Sequence, residues 1–292
     1  MTCLWLTTAD AIDLDCEALT TRGVTVERLD PQVFAMPPTA MALLLHAPLN
    51  PSMIALAETC NADLLPVSCP IDLRVAIFDM DSTLIQHEVI DELATALGIG
   101  AEVAAITERA MQGELDFVSS FTARLGLLQG LPESRLQPIY DGLRLMPGAE
   151  CLMANLGAAG VFRAICSGGF SFFAEQLTQR LGVDQVHSNR LQCADGVLTG
   201  VVVPPIVDGA YKARFLAELA AEHKVLASQV MAVGDGANDI PMLEAAGVGV
   251  AFHGKPKVRE AIGLQLNHRD LSALSYWVHP RLGLRDGGAH PV

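Results

Sequence analysis

Two carboxylates two residues apart, Asp79 and Asp81, stand at the end of an apolar run in Asp79-Met80-Asp81-Ser82-Thr83-Leu84. If the backbone turns where that run ends, both side chains can face one small cavity. A carboxylate can attack phosphorus and form an acyl phosphate. A second carboxylate beside it can protonate the leaving alkoxide and later activate water. Nucleophile and phosphate are both anionic, so the pair requires a cation, and Mg²⁺ suits carboxylates, waters and phosphate oxygens. The competing reading is an acid-rich loop that caps the next helix through Ser82 or Thr83.

Three further polar groups bear on the choice. Ser167-Gly168-Gly169-Phe170 follows the apolar stretch 164–166 and sets a hydroxyl beside glycines whose amides can approach a phosphate closely. Alone, it is an ordinary strand-to-helix turn. Lys212, in Tyr211-Lys212-Ala213, reads by itself as a surface cation, although transferring phosphate oxygens need one. Gly234-Asp235-Gly236-Ala237-Asn238-Asp239 again places acids after an apolar run. Asp235 can complete a metal site there and Asp239 can orient it. Four such groups in this order are not accidental.

The elements that must position them follow from the apolar pattern. The runs 75–79, 161–166, 230–233 and 248–252 read as buried parallel strands. Their alternation with helices implies an α/β fold with a doubly wound parallel sheet, in which ligands bind beyond the carboxyl ends of the strands. Helical spacing over 89–97, 101–112, 117–128 and 133–140 predicts a helical-bundle cap inserted over the site. A β-hairpin is expected over 188–207, turning at Ala194-Asp195-Gly196. The first seventy residues alternate β-α-β-β-α-β, with strands near 4–7, 24–29, 39–46 and 63–67 and helices over 9–21 and 51–60. Asn50 is the expected cap of the second helix, and Pro70 follows the last strand. That order is the ferredoxin-like split βαβ arrangement. The expected organisation is therefore an N-terminal unit at 1–70, a core at 71–87 and 146–278, a helical cap at 88–145 and an irregular tail at 279–292.

Bulk properties narrow the partners. A net charge of −14 over 292 residues and a pI near 4.9 argue against nucleic-acid binding, which needs clustered Lys and Arg. Mean hydropathy is high at +0.35, yet no apolar run reaches the roughly 18 residues a membrane span requires. Early acids at Asp10, Asp13 and Asp15, without a basic flank, argue against a secretory signal. The seven cysteines are scattered, without a CxxC pair, which fits neither a disulfide framework nor a zinc site. A cytoplasmic enzyme is the expectation.

Together the four motifs resemble the signature of the haloacid dehalogenase superfamily, and their flanks resemble its phosphoserine phosphatases, over about residues 74 to 270. The resemblance implies Mg²⁺-dependent hydrolysis of O-phosphoserine through a phosphorylated Asp79, with Asp81 as acid and base. It implies metal binding by Asp79, Asp235 and the Asp81 carbonyl, supported by Asp239. Phosphate would be held by Ser167, Lys212, Asn238 and the amides of Gly168 and Gly169. In the cap, Glu88 resembles the family's acceptor for the substrate ammonium and Arg124 its clamp for the carboxylate, a task suited to a bidentate guanidinium. Met111 and Phe117 match apolar residues that shield the site from water. The N-terminal unit resembles ACT-type regulatory domains in element order, and such units often pair edge to edge, so a homodimer is expected. Two other readings stay open: a phosphatase or phosphotransferase for another small phosphomonoester, and a non-catalytic amino-acid or phosphate sensor.

Overall fold

The computed structural model describes residues 3–8, 12–29, 40–45, 51–66 and 72–278. Asn50, Pro70 and the tail at 279–292 lie outside the described residues. The chain begins with β1 (Cys3–Thr8), α1 (Ile12–Thr20), β2 (Val26–Leu29), β3 (Ala40–Leu45), α2 (Pro51–Thr59) and β4 (Asp63–Pro66). The four strands form an antiparallel sheet in the order β2-β3-β1-β4. Leu19, Leu43, Leu45, Met53 and Ala57 make its own small core.

The second sheet opens with β5 (Val75–Phe78), all four residues of which are buried. Its side chains alternate between two cores: Ala76 and Phe78 join one, Val75 and Ile77 the other. A strand covered on both faces needs this continuous apolar run. After β5 come four helices: α3 (Val89–Leu97), α4 (Gly100–Met111), α5 (Phe117–Leu127) and α6 (Leu136–Gly142). In α3 the buried residues Val89, Ile90, Leu93 and Ala94 fall on one helical face, and Gly98 closes the helix at φ +75°. The segment expected as one helix over 133–140 instead begins as a 3-10 turn at Glu133–Arg135 before α6. The chain leaves and re-enters the core through a narrow neck, where Ile85 bridges Leu145 and the Met146 N–H donates to the Leu84 carbonyl (2.8 Å).

There follow α7 (Ala149–Ala158), β6 (Phe162–Phe170), α8 (Ser171–Leu181), β7 (Gln185–Ala194), β8 (Val197–Val203) and α9 (Gly209–Glu222). The last elements are β9 (Val230–Gly234), α10 (Ile240–Ala245), β10 (Val248–Phe252), α11 (Pro256–Ala261), β11 (Gln265–Leu266) and a 3-10 stretch at Leu271–Val278. The seven strands order as β11-β10-β9-β5-β6-β7-β8, parallel throughout except for β7 with β8. From β5 the chain builds outward through β6 to one edge and then returns to add β9 on the other side. The switch point thus falls at β5 and β9, where a ligand crevice is expected.

Two expected boundaries move. The strand predicted over 161–166 continues through Ser167-Gly168-Gly169 to Phe170, with a register shift against β7 between Ser167 and Phe170. The hairpin predicted over 188–207 starts earlier, because β7 first pairs in parallel with β6 and only then turns into its antiparallel partner. That hairpin reaches the inserted helices: Gly130 N–H donates to Leu198 O (2.9 Å) and Leu198 N–H to Leu131 O (2.8 Å).

The two sheets meet at β4. The Asp63 carboxylate, 3% exposed, accepts from the backbone N–H groups of Asn267 (2.7 Å), His268 (3.0 Å) and Arg269 (2.7 Å). No helix among the described residues is long and apolar enough to cross a membrane.

Candidate active site

Asp79 leaves the end of β5 with its N–H donating to the Val233 carbonyl of β9 (2.9 Å), so the carboxylate stands at the switch point. The chain then turns sharply, with Leu84 N–H donating to Met80 O (2.8 Å) and Ser82 at φ +54°. A non-glycine residue in this region carries strain. The turn is what brings Asp79 and Asp81 to one cavity. Neither Ser82 nor Thr83 caps α3. Glu88 precedes α3 without a side-chain cap, and the Ser82 hydroxyl donates instead to Glu88 Oε1 (2.9 Å).

Behind Asp79 lies Lys212 on α9. Lys212 shares a helical face with Phe215, Leu216 and Leu219 and is fully buried. Its ammonium is 3.0 Å from Asp79 Oδ1 and 2.6 Å from Asp239 Oδ1. Burial works against its charge, but Asp239 and Asp79 more than offset this and hold its pKa above the usual lysine value. Asp239 spends its other oxygen on the Gly236 N–H (2.9 Å). Each residue of Asp79, Asp235 and Asp239 offers a carboxylate oxygen within 4.8 Å of the others. Burial, followed by repulsion among the acids, pushes Asp235 up to about 6 and Asp239 up to about 7. Hard, charge-rich oxygens crowded in this way fit a hard divalent cation. Because both oxygens of Asp239 are already engaged, Asp79 and Asp235 are the ligands the geometry leaves available.

Asp81 sits apart from that triad. One oxygen accepts from the Val89 N–H (3.2 Å), and a Cβ on Gly169 would lie 2.5 Å from the other. A glycine is therefore required where β6 passes the carboxyl group. Burial, with repulsion from Glu88 and Asp79, raises the Asp81 pKa well above the ordinary carboxylate range. A raised carboxyl pKa suits a general acid, which must hold the proton it donates.

These groups open onto a cavity of about 350 Å³, lined by Asp79, Asp81, Glu88, Phe117, Arg124, Gly168, Gly169, Asp235 and Asn238 among others. Ser167 is buried beneath it and accepts the Gly169 N–H (2.9 Å), so that amide is engaged within the loop. A Cβ on Gly168 would meet Phe117 Cζ at 3.0 Å. Phe117, Phe121 and Phe170 form an aromatic wall, with centroids 6.1 and 5.9 Å apart. Arg124 comes from the last turn of α5. Burial lowers its pKa, while Glu88, Asp91 and Asp81 favour its charge. Met111 ends α4, and its side chain lies outside the described residues.

The sequence reading missed Lys255, Asp91, Thr107, Phe121 and Phe170, all of which line the cavity. For Lys255 a signal existed: it follows the apolar run of β10, just as Asp79 and Asp235 follow β5 and β9. A cavity of about 410 Å³ at the opposite ends of the strands contains Arg74, Arg163 and His223. Its arginines are committed to Asp72 and Asp184, and it has no comparable chemistry.

Residues 73–247 match the family described as haloacid dehalogenase-like hydrolase. The phosphoserine phosphatase SerB2 of Mycobacterium tuberculosis is 46% identical over 203 residues, which are 70% of this chain and 50% of that protein. The phosphoserine phosphatase of Albidiferax ferrireducens is 46% identical over 209 residues, covering 70% of this chain and 88% of that one. Among solved structures, a haloacid dehalogenase-family hydrolase of Salmonella enterica serovar Typhi superposes with TM-score 0.87 at 34% identity, over 95% of this chain and 99% of that one. The chain spans 50 to 63% of the length of several curated relatives it matches.

Proposed function

The chain belongs to the haloacid dehalogenase-like hydrolases, and on that premise we propose that it is a Mg²⁺-dependent phosphatase of O-phosphoserine. The observation that carries the substrate is the charge layout of one cavity: Glu88 and Arg124, of opposite sign, line the space that Asp79 and Asp81 border. A phosphorylated amino acid presents an ammonium, a carboxylate and a phosphate, and these three groups match Glu88, Arg124 and the Asp79 end in turn.

Asp79 attacks phosphorus and forms the acyl phosphate, while the P–O bond to serine breaks. Asp81, whose burial beside Glu88 and Asp79 favours the protonated form, gives its proton to the leaving serine alkoxide. The resulting Asp81 carboxylate then takes a proton from the water that attacks phosphorus, releasing phosphate and regenerating Asp79. Lys212 neutralises Asp79 and the phosphate oxygens, and Asp239 fixes Lys212. Ser167, Gly168 and Asn238 hold the phosphate, and Phe117 and Met111 keep other water away. Asp79, Asp235 and the Asp81 carbonyl would hold Mg²⁺, which when bound offsets charge between nucleophile and phosphate.

The domain reading follows. Residues 71–87 and 146–278 form the catalytic core with the hairpin of β7 and β8, and 88–145 form a cap joined through the Ile85–Leu145 neck. Residues 1–70 form an ACT-like unit, a reading supported by the β2-β3-β1-β4 order. The edge strand β2 is where a second copy would pair. The deciding assay is phosphate release from a panel of phosphorylated metabolites, with Mg²⁺ and with chelator. O-phosphoserine is expected to be the preferred substrate and chelator to stop turnover. A preference for a phosphomonoester without an amino group would refute the assignment.

A further inference from the structure

Lys255 is the one cavity-lining cation besides Arg124 among the described residues. It precedes α11, and its backbone N–H donates to the Asp235 carbonyl (2.9 Å), which pins it to the loop that carries Asp235. The side chain folds back over the same loop. Its ammonium lies 3.0 Å from Asp235 Oδ2 and 3.4 Å from Glu88 Oε1. Glu88 belongs to the inserted segment and Asp235 to the core, so one side chain joins the two parts across the cavity. The Ser82 hydroxyl holds the same Glu88 oxygen.

The side chain of Lys255 is 53% exposed, and ion pairs at that exposure contribute little to stability. Burial opposes its charge, but Asp235 and Glu88 hold its pKa above the usual lysine value. It is therefore a charged, displaceable group held by two acids of different purpose. Under the phosphatase reading, on which this inference rests, Asp235 takes a divalent cation and Glu88 takes the substrate ammonium.

We propose that Lys255 is a positioning residue that competes for both acids, so that it must release Asp235 as the metal arrives and Glu88 as the amino group arrives. A divalent cation at Asp235 repels the Lys255 ammonium and thereby frees Glu88. Metal binding thus favours amino-acid binding, and by linkage the reverse holds. A scaffold role makes the opposite prediction for the metal, since losing a scaffold weakens binding whereas losing a competitor tightens it.

The test is titration calorimetry of Mg²⁺ into the full chain without substrate, for wild type, Lys255→Met and Lys255→Arg. Thermal melts of each would show that the variants fold. Lys255→Met is expected to bind Mg²⁺ about two- to fivefold more tightly, the scale of an ion pair at a half-exposed site. Lys255→Arg should stay near wild type. Unchanged or weaker binding in folded Lys255→Met overturns the proposal. Phosphate release from O-phosphoserine by wild type, measured alongside, tests the phosphatase reading separately. No release defeats that reading, whereas release with unchanged metal affinity in Lys255→Met defeats only the role of Lys255.

Discussion

Two lysines serve different acids of one site, and they differ in almost every physical respect. Lys212 is fully buried between Asp79 and Asp239 at 3.0 and 2.6 Å, on an apolar helix face. Lys255 is half exposed between Asp235 and Glu88 at 3.0 and 3.4 Å, beside the cavity. Removing one partner of a buried pair strands an uncompensated charge, whereas a half-exposed pair exchanges its partner for water. The buried lysine is thus part of the frame that makes the nucleophile, and the exposed one can move when ligands arrive. Fixed chemistry lies behind β5 and β9, while adjustable recognition lies between the core and the inserted helices.

The sharpest way to break this contrast is at the nucleophile. Asp79→Asn should lower kcat for O-phosphoserine by at least about 10³-fold, since a covalent step is lost. Single-turnover phosphate release measures it, and full activity would overturn the mechanism. Next in size is the stability difference between the lysines. Lys212→Met leaves Asp79 and Asp239 buried without a counter-charge and should cost about 3–5 kcal/mol in urea unfolding. Lys255→Met should cost less than about 1 kcal/mol by the same measurement. Similar losses in the two variants would end the distinction. Arg124→Ala should reduce kcat/KM for O-phosphoserine roughly 100-fold while changing turnover of an aryl phosphate little, because only the amino acid offers a carboxylate to clamp. Equal losses on both substrates would contradict the clamp.

The smallest expected effect is one of pH. Asp235 and Asp239 are pushed up to about 6 and about 7, above the ordinary Asp value near 3.9. The folded, metal-free protein therefore binds more protons than the unfolded chain between roughly pH 4 and 7. Over that window these two groups make stability fall as pH rises. Thermal melts in chelator should show a lower Tm at pH 8 than at pH 6, and Mg²⁺ should shrink the difference. A metal-free Tm that rises over this interval would contradict the charge balance assigned to the site.

Several of these features were legible in the chain itself. The strand run 75–78 and the helix 89–97 could be read directly because a fully buried strand and a one-sided helix each impose a strict apolar period. Lys212 shows the limit. As a lone lysine it reads as solvated, although its spacing from Phe215, Leu216 and Leu219 places it on an apolar face. Local composition does not delimit α7, α8 and α9, and it ends β6 at Cys166 because Ser167-Gly168-Gly169 looks like a turn. That segment is held as strand by pairing with β7, a long-range contact that local composition does not report.

The sequence by itself determined the chemistry on offer: acids after apolar runs at Asp79, Asp81 and Asp235, a hydroxyl–glycine turn, and the α/β alternation that sends strand ends to one edge. Those features are local, written in residue type and spacing. Only the tertiary structure decided which groups meet. It put Lys212 beneath Asp79, gave both oxygens of Asp239 to other partners, raised the Asp81 pKa by burial, and brought Lys255 to Glu88 across 167 positions of chain, with Asp235 on its other side. Charge, desolvation and competition among neighbours depend on distance in space, and the order of residues does not carry it.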